Sequence, residues 1–182
     1  MRPPEPGRNA LLDAGQRLLG SADLARISVN AIVAEAGMAK GSFYQHWPSR
    51  AEYVRALHVR FHDELQDAIA TATVDLAPGA DRLAAAMDAY LDGCLAKPAT
   101  KALLVQSRTE AGLSDLVAAR NESAASLLLP DLVALGWAPA EPIAALLVAA
   151  VAEIALIELA AGKRDKQLRR GLIRLASRTA TG

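Results

Sequence analysis

The sequence predicts an all-α protein of about nine helices, with a small N-terminal helix-turn-helix domain and a larger C-terminal helical domain. Composition is the first ground: 40 Ala and 27 Leu fill 67 of 182 positions, whereas 12 Gly and 9 Pro supply few breakers. Ala and Leu are the best helix formers, so the whole chain leans that way. Spacing is the second ground. Breakers fall at Gly20, Gly37, Pro48, Pro78-Gly79, Pro98, Gly112, Gly136 with Pro139 and Pro142, and Gly162, leaving helix-sized intervals of about 10 to 25 residues. The third ground is negative: no stretch alternates as a half-buried strand would, and no repeat is found.

Length and charge narrow the possibilities further. A chain of this length buries roughly 70% of its unfolded surface, so no disulfide or metal staple is called for. The single Cys94 cannot pair within the chain and suits a reducing, cytoplasmic setting. Met1 to Gly7 carry three prolines and no apolar run, and read as a disordered arm rather than a signal. Ile143 to Ala161 is apolar enough to cross a bilayer, but Glu153 and Glu158 lie inside it, which favours a buried helix and no membrane. The charges sum to zero, yet unevenly. Residues 1 to 60 hold eight Lys/Arg and five Asp/Glu, residues 61 to 162 hold five and fourteen, and residues 163 to 182 hold seven and one. A basic first module before an acidic body suits a protein that touches a polyanion at one end.

Each early element has its own signals. Leu11, Leu12, Ala14, Leu18 and Leu19 recur at helical spacing and make an amphipathic first helix. Ser28 precedes Val29, Ile32 and Val33, so its hydroxyl can cap a second helix that stops at Gly37. A third runs from about Ala39 to Trp47 and ends at Pro48; Ser49-Arg50-Ala51-Glu52 is a capping box that opens a long fourth helix to about Asp75. The second and third helices, joined by Ala36-Gly37-Met38, form a helix-turn-helix whose later member can enter a major groove. Phe43 and Trp47, one turn apart, should pack inward, leaving Lys40, Ser42, Tyr44, Gln45 and His46 on or beside the exposed face.

The stretch from Ser28 to Arg50, with Ala36-Gly37, Lys40-Gly41-Ser42-Phe43-Tyr44 and His46, resembles the DNA-binding signature of the TetR family of bacterial transcriptional regulators. The likeness covers about residues 8 to 60. It implies a domain arrangement of arm 1–7, DNA-binding domain 8–52, and regulatory and dimerisation domain 53–182. It also implies that Ser28, Asn30, Tyr44, His46 and Arg50 meet the DNA backbone and that Lys40, Ser42 and Gln45 face the groove, with Gly41 also among the DNA-binding residues. Ala39 departs from the usual Ser or Thr, so the recognition helix lacks a side-chain cap, worth about 1 kcal/mol. Trp47 and Arg50 replace the usual Phe and Lys.

Beyond residue 75 the resemblance is one of architecture and implies a homodimer and an unknown small-molecule effector. Residues 142 to 161 are apolar nearly all round and need a second surface, and Leu168, Leu172 and Leu175 stripe the last helix. Leu147, Val151, Ile154, Leu168, Leu172 and Leu175 are therefore the expected dimer interface. Met87, Tyr90, Cys94, Gln106, Arg108 and Trp137 are candidate ligand-lining residues. Pro130 should kink or end its helix. The resulting reading is a repressor that binds double-stranded DNA at a palindromic operator, without cofactor, metal or catalytic residues. The competing reading is a helical metal or redox sensor, or adaptor, without specific DNA binding. It rests on His58 and His62 at i, i+4 and on Cys94, but no third ligand is indicated. No nucleophile elbow, phosphate loop or paired acid motif supports an enzyme.

Overall fold

A computed structural model of the chain describes residues 6–20, 27–97 and 113–177. These form eight helices and no strand among the described residues, against about nine helices expected. They are α1 (Pro6–Leu19), α2 (Val29–Glu35), α3 (Lys40–His46), α4 (Arg50–Thr73), α5 (Ala80–Ala96), α6 (Ser114–Ala134), α7 (Glu141–Ala161) and α8 (Lys166–Ser177). The chain divides into two compact units, residues 1–63 with 97–113, and residues 64–96 with 114–182. The boundary placed at residue 52 from sequence falls inside α4, which continues unbroken to Thr73. α1 already includes Pro6 and Gly7, the last two residues of the expected arm, whose other residues lie outside the described ones.

In the first unit Leu11, Leu12 and Ala14 of α1, Ile32 and Val33 of α2, Phe43 of α3, and Tyr53, Val54, Leu57 and Phe61 of α4 make one apolar core. Polar ties fix the helices around it. Arg17 Nε donates to Glu35 Oε1 at 2.6 Å, joining α1 to α2, and Arg60 pairs with Asp13 at 2.5 Å, joining α4 to α1. Ser49 Oγ accepts from the Glu52 amide at 3.2 Å, the expected cap of α4.

In the second unit α5 buries Leu83, Met87, Leu91 and Cys94, a stripe at helical spacing, and packs on α6, α7 and α8. α6 runs through Pro130 instead of ending there. Its ring is exposed, and the next two residues are anchored: Asp131 accepts from the Gly79 amide at 2.9 Å and Arg82 Nε at 2.7 Å, and Leu132 is fully buried. Those anchors outweigh one lost helical hydrogen bond. α7 is 21 residues long, its most apolar 18-residue stretch has a mean hydropathy of 2.4, and by length and composition it could cross a membrane. In this fold one of its faces is packed on α5, α6 and α8. Gly162 ends it at φ 65°, and Asp165 Oδ1 then caps α8 by accepting from the Gln167 and Leu168 amides, both at 3.0 Å.

α8 also contributes a buried Arg169. Its guanidinium grips Glu158 of α7 through two bonds of 2.7 and 2.6 Å and reaches Asp88 and Asp92 of α5 at 2.9 and 2.8 Å. Arg164 also pairs with Asp92. Burial pushes the Glu158 carboxyl up, but the Arg169 hydrogen bonds, the Asp165 amide and the charges of Arg169 and Arg164 outweigh it and hold it below the ordinary value of 4.5.

Candidate nucleic-acid interface

The helix-turn-helix is assembled by backbone economy. Ser28 Oγ accepts from the Ala31 amide at 3.1 Å and starts α2. At its end the Gly37 amide bonds Ala34 O at 3.1 Å and the Met38 amide bonds Val33 O at 2.8 Å. That closure needs a left-handed residue, and Gly37 adopts φ 65°. A side chain there would meet nothing within 4 Å, so backbone conformation rather than room calls for glycine. Ala39 gives α3 no side-chain cap, as expected from its identity.

α3 is held from below by aromatic packing. Phe43 lies 5.7 Å from Trp47 and 5.2 Å from Tyr53, and Trp47 meets Tyr53 edge-on at 4.9 Å, measured between ring centroids. The Tyr53 hydroxyl donates to Leu11 O at 2.6 Å. Burial holds that hydroxyl well above its usual 10, so it remains a neutral donor. Arg8 of α1 stacks 5.2 Å from the Trp47 ring centroid.

With Phe43 and Trp47 turned inward, the outer face of α3 presents Lys40, Gly41, Tyr44 and Gln45, all exposed, with Ser42 and His46 half-buried beside them. Tyr44 is 51% exposed, although it is aromatic and its neighbour Phe43 is fully buried. Ser28 and Asn30 are exposed at the start of α2. Arg50 differs from a simple phosphate ligand, because its Nε donates to Ile27 O at 2.7 Å and holds the entry to α2. Neither Arg8 nor Gly15, which lies against the buried Tyr53 hydroxyl, is marked out by the sequence as part of this site. A mid-helix glycine in an otherwise well-formed amphipathic pattern was the available sign of the second.

Residues 11–57 match the family described as bacterial regulatory proteins, tetR family. The N-terminal module is TetR-family. No curated protein matches the chain. Among solved structures, a TetR-like transcriptional regulator from Rhodococcus sp. RHA1 is 21% identical with a TM-score of 0.79, covering 97% of this chain and 96% of that one. A bacterial regulatory protein in the tetR family from Rhodococcus RHA1 is 15% identical, with a TM-score of 0.75 and 96% of each chain covered. A tetR-family transcriptional regulator from Streptomyces coelicolor is 20% identical, with a TM-score of 0.71, covering 95% of this chain and 78% of that one. At such identities the likeness is one of fold, and it extends from the TetR-family module through the second unit.

The other predicted residues fall in the second unit. Leu147, Val151, Ile154 and Leu172 are 5 to 8% exposed within a single chain. They take part in the intramolecular packing of α7 and α8, so less of their surface is open to a second copy than the periodicity implied. Leu168 and Leu175 remain at 38 and 63% exposed, joined by Leu146 and Ile157 at 66 and 41%. The periodicity showed that α7 was apolar all round but not which half its own chain covers.

Of the proposed ligand-lining residues, Met87 and Cys94 sit in the packed stripe of α5, and Tyr90 is half-buried. Trp137 uses its indole N–H on Ala176 O at 2.7 Å and so ties down the last turn of α8. Gln106 and Arg108 lie outside the described residues. The His58 and His62 rings meet at a 41° tilt with centroids 4.4 Å apart. Among the described residues, no three His, Cys, Asp or Glu side chains gather as metal ligands would.

Proposed function

We propose that the chain is a sequence-specific DNA-binding transcriptional regulator, a ligand-responsive repressor acting as a homodimer on a palindromic operator. Residues 8–52 then serve as the DNA-binding domain and 53–182 as the regulatory and dimerisation domain. The observation that carries the reading is the outward set Lys40, Tyr44 and Gln45 on a helix whose opposite side is pinned by Phe43 and Trp47. It combines a cationic phosphate ligand, a phenolic donor and an amide able to read a base edge on one rigid face. Two-fold symmetry would place the half-sites on one side of the duplex, about 34 Å or a multiple apart. Response to a small effector is the family's habit, and the continuous α4, which starts at Arg50 beside α3, offers the lever.

The test is a gel-shift series against fragments flanking the chain's own gene, over a range of salt. Binding should fall steeply as salt rises, because phosphate contacts release counterions. Tyr44→Phe should weaken specific and non-specific binding together. Gln45→Ala should instead relax base preference by about 1 to 3 kcal/mol at one position of each half-site. No affinity for any genomic fragment at low salt would defeat the assignment.

A further inference from the structure

α7 buries one face and leaves the opposite one open. Leu146, Ala149, Glu153, Ile157 and Ala160 recur at helical spacing along that outer face, and all are exposed. Glu153 sits at its middle and is the only charged residue of α7 between Glu141 and Glu158. Small alanines beside it allow close approach of another helix, but any second surface that dries the leucine and isoleucine also dries this carboxylate. A desolvated carboxylate is tolerated only beside a cation that hydrogen-bonds it.

The same unit carries the complement. α8 holds no acidic residue from Lys166 to Ser177, and exposes Lys166, Arg170 and Arg174. Gly171, Arg174, Leu175 and Ser177 line an open groove of about 390 Å³. Its lining offers an apolar wall at Leu175, room over Gly171, and the Arg174 guanidinium. Glu153 and Ile157 lie one turn apart on α7, so a carboxylate and an apolar side chain reach outward together. Groove and ridge match in both respects.

We infer that, in the homodimer proposed above, on which this inference rests, Glu153 of one copy pairs with Arg174 of the other while Ile157 enters the groove beside Leu175. A two-fold axis makes the arrangement self-complementary, giving two such pairs per dimer. The pair sets the register of the α7 and α8 faces, since a slip of one helical turn would strand both carboxylates against alanine and leucine. An arginine suits the role because its planar fork satisfies both carboxylate oxygens at once.

Sedimentation velocity of the full chain across a concentration series tests this, with circular dichroism as the check on folding. Glu153→Arg and Arg174→Glu should each weaken the dimer by about tenfold or more, and the double swap should recover most of that loss. Glu153→Gln and Arg174→Gln, which insert no opposite charge, should weaken it in the same order and serve if a reversal variant fails to fold. Leu175→Glu separates the two levels of the argument. If it abolishes dimers while the four charge variants dimerise like the wild type, the face is right and the pair is overturned. If the single reversals weaken the dimer and the double swap does not recover it, Glu153 meets another group and the pair is again overturned. If Leu175→Glu leaves the dimer unchanged, the contact lies elsewhere and the pair is overturned while the dimer stands; if the wild type is monomeric at micromolar concentration, the dimer reading itself fails and this inference with it.

Discussion

Replacing Gly15 by Ala should lower the melting temperature by about 5 to 10 °C, against the usual sign of the change. In an exposed helix interior that substitution stabilises by roughly 1 kcal/mol. Here a Cβ on Gly15 would lie 2.0 Å from the Tyr53 hydroxyl oxygen and 3.0 Å from both Tyr53 Cζ and Leu57 Cδ1. Neither neighbour can yield freely. Tyr53 is fully buried among Phe43 and Trp47 and spends its hydroxyl on Leu11 O, while Leu57 is fully buried as well. Overpacking costs about 1 to 3 kcal/mol, and a buried hydroxyl displaced from its acceptor costs about as much again. The net loss of about 2 to 4 kcal/mol converts at roughly 2 to 4 °C per kcal/mol for a chain of this size. Tyr53→Phe alone should cost about 1 to 2 kcal/mol, and adding it to Gly15→Ala should cost less than the two changes summed, because the hydroxyl is the clashing atom. Thermal unfolding of the three variants measures the coupling. A neutral or stabilising Gly15→Ala would mean that α1 and α4 do not approach this closely. Because Tyr53 also supports α3, the loss of stability should be accompanied by weaker DNA binding.

The second large effect is expected at Arg169. Arg169→Ala removes the cation that Glu158, only 1% exposed, depends on, and should destabilise the chain by about 3 to 5 kcal/mol at pH 7. Arg169→Lys should recover little, since one ammonium cannot hold Glu158 by two bonds while reaching Asp88 and Asp92. Replacing the pair together, Glu158→Leu with Arg169→Met, should return most of the loss, because the buried charge then disappears with its partner. Acid supplies an independent check. The Glu158 carboxyl titrates below its ordinary 4.5 in the folded chain, so its contribution is complete above that value and fades as pH falls through the folded value. In Arg169→Ala burial acts unopposed by the guanidinium, so the carboxyl protonates more readily and the penalty shrinks in acid. Urea unfolding at pH 7 and near pH 4 should therefore show the gap between wild type and variant narrowing. A gap independent of pH would place the effect in packing and not in charge.

Much of this protein was legible in the residues alone, and the reason is that local signals were strong where the chain is short-ranged. Ser28, Gly37 and Ser49 mark helix ends through caps that involve residues no more than a few positions away, and each cap forms where expected. Phe43 and Trp47, four apart among polar residues, already determined which side of α3 faces inward. The family signature between Ser28 and Arg50 lies within the same local stretch.

What the tertiary structure alone decided is of longer range. A periodic pattern identifies an apolar face but cannot say which partner covers it, and only the fold shows that Leu147, Val151 and Ile154 are covered within their own chain while Leu146 and Ile157 are open. Pro130 carries a strong local instruction to break a helix, yet the remote groups Gly79 and Arg82 hold Asp131 firmly enough to override it. Arg169 is one of several cations on a basic helix, and only the approach of α5 and α7, 77 to 81 and 11 residues away in sequence, buries it among three carboxylates. Caps and periodicity act over one or two turns of chain, whereas burial and charge pairing depend on which distant segments arrive, and that is a property of the fold.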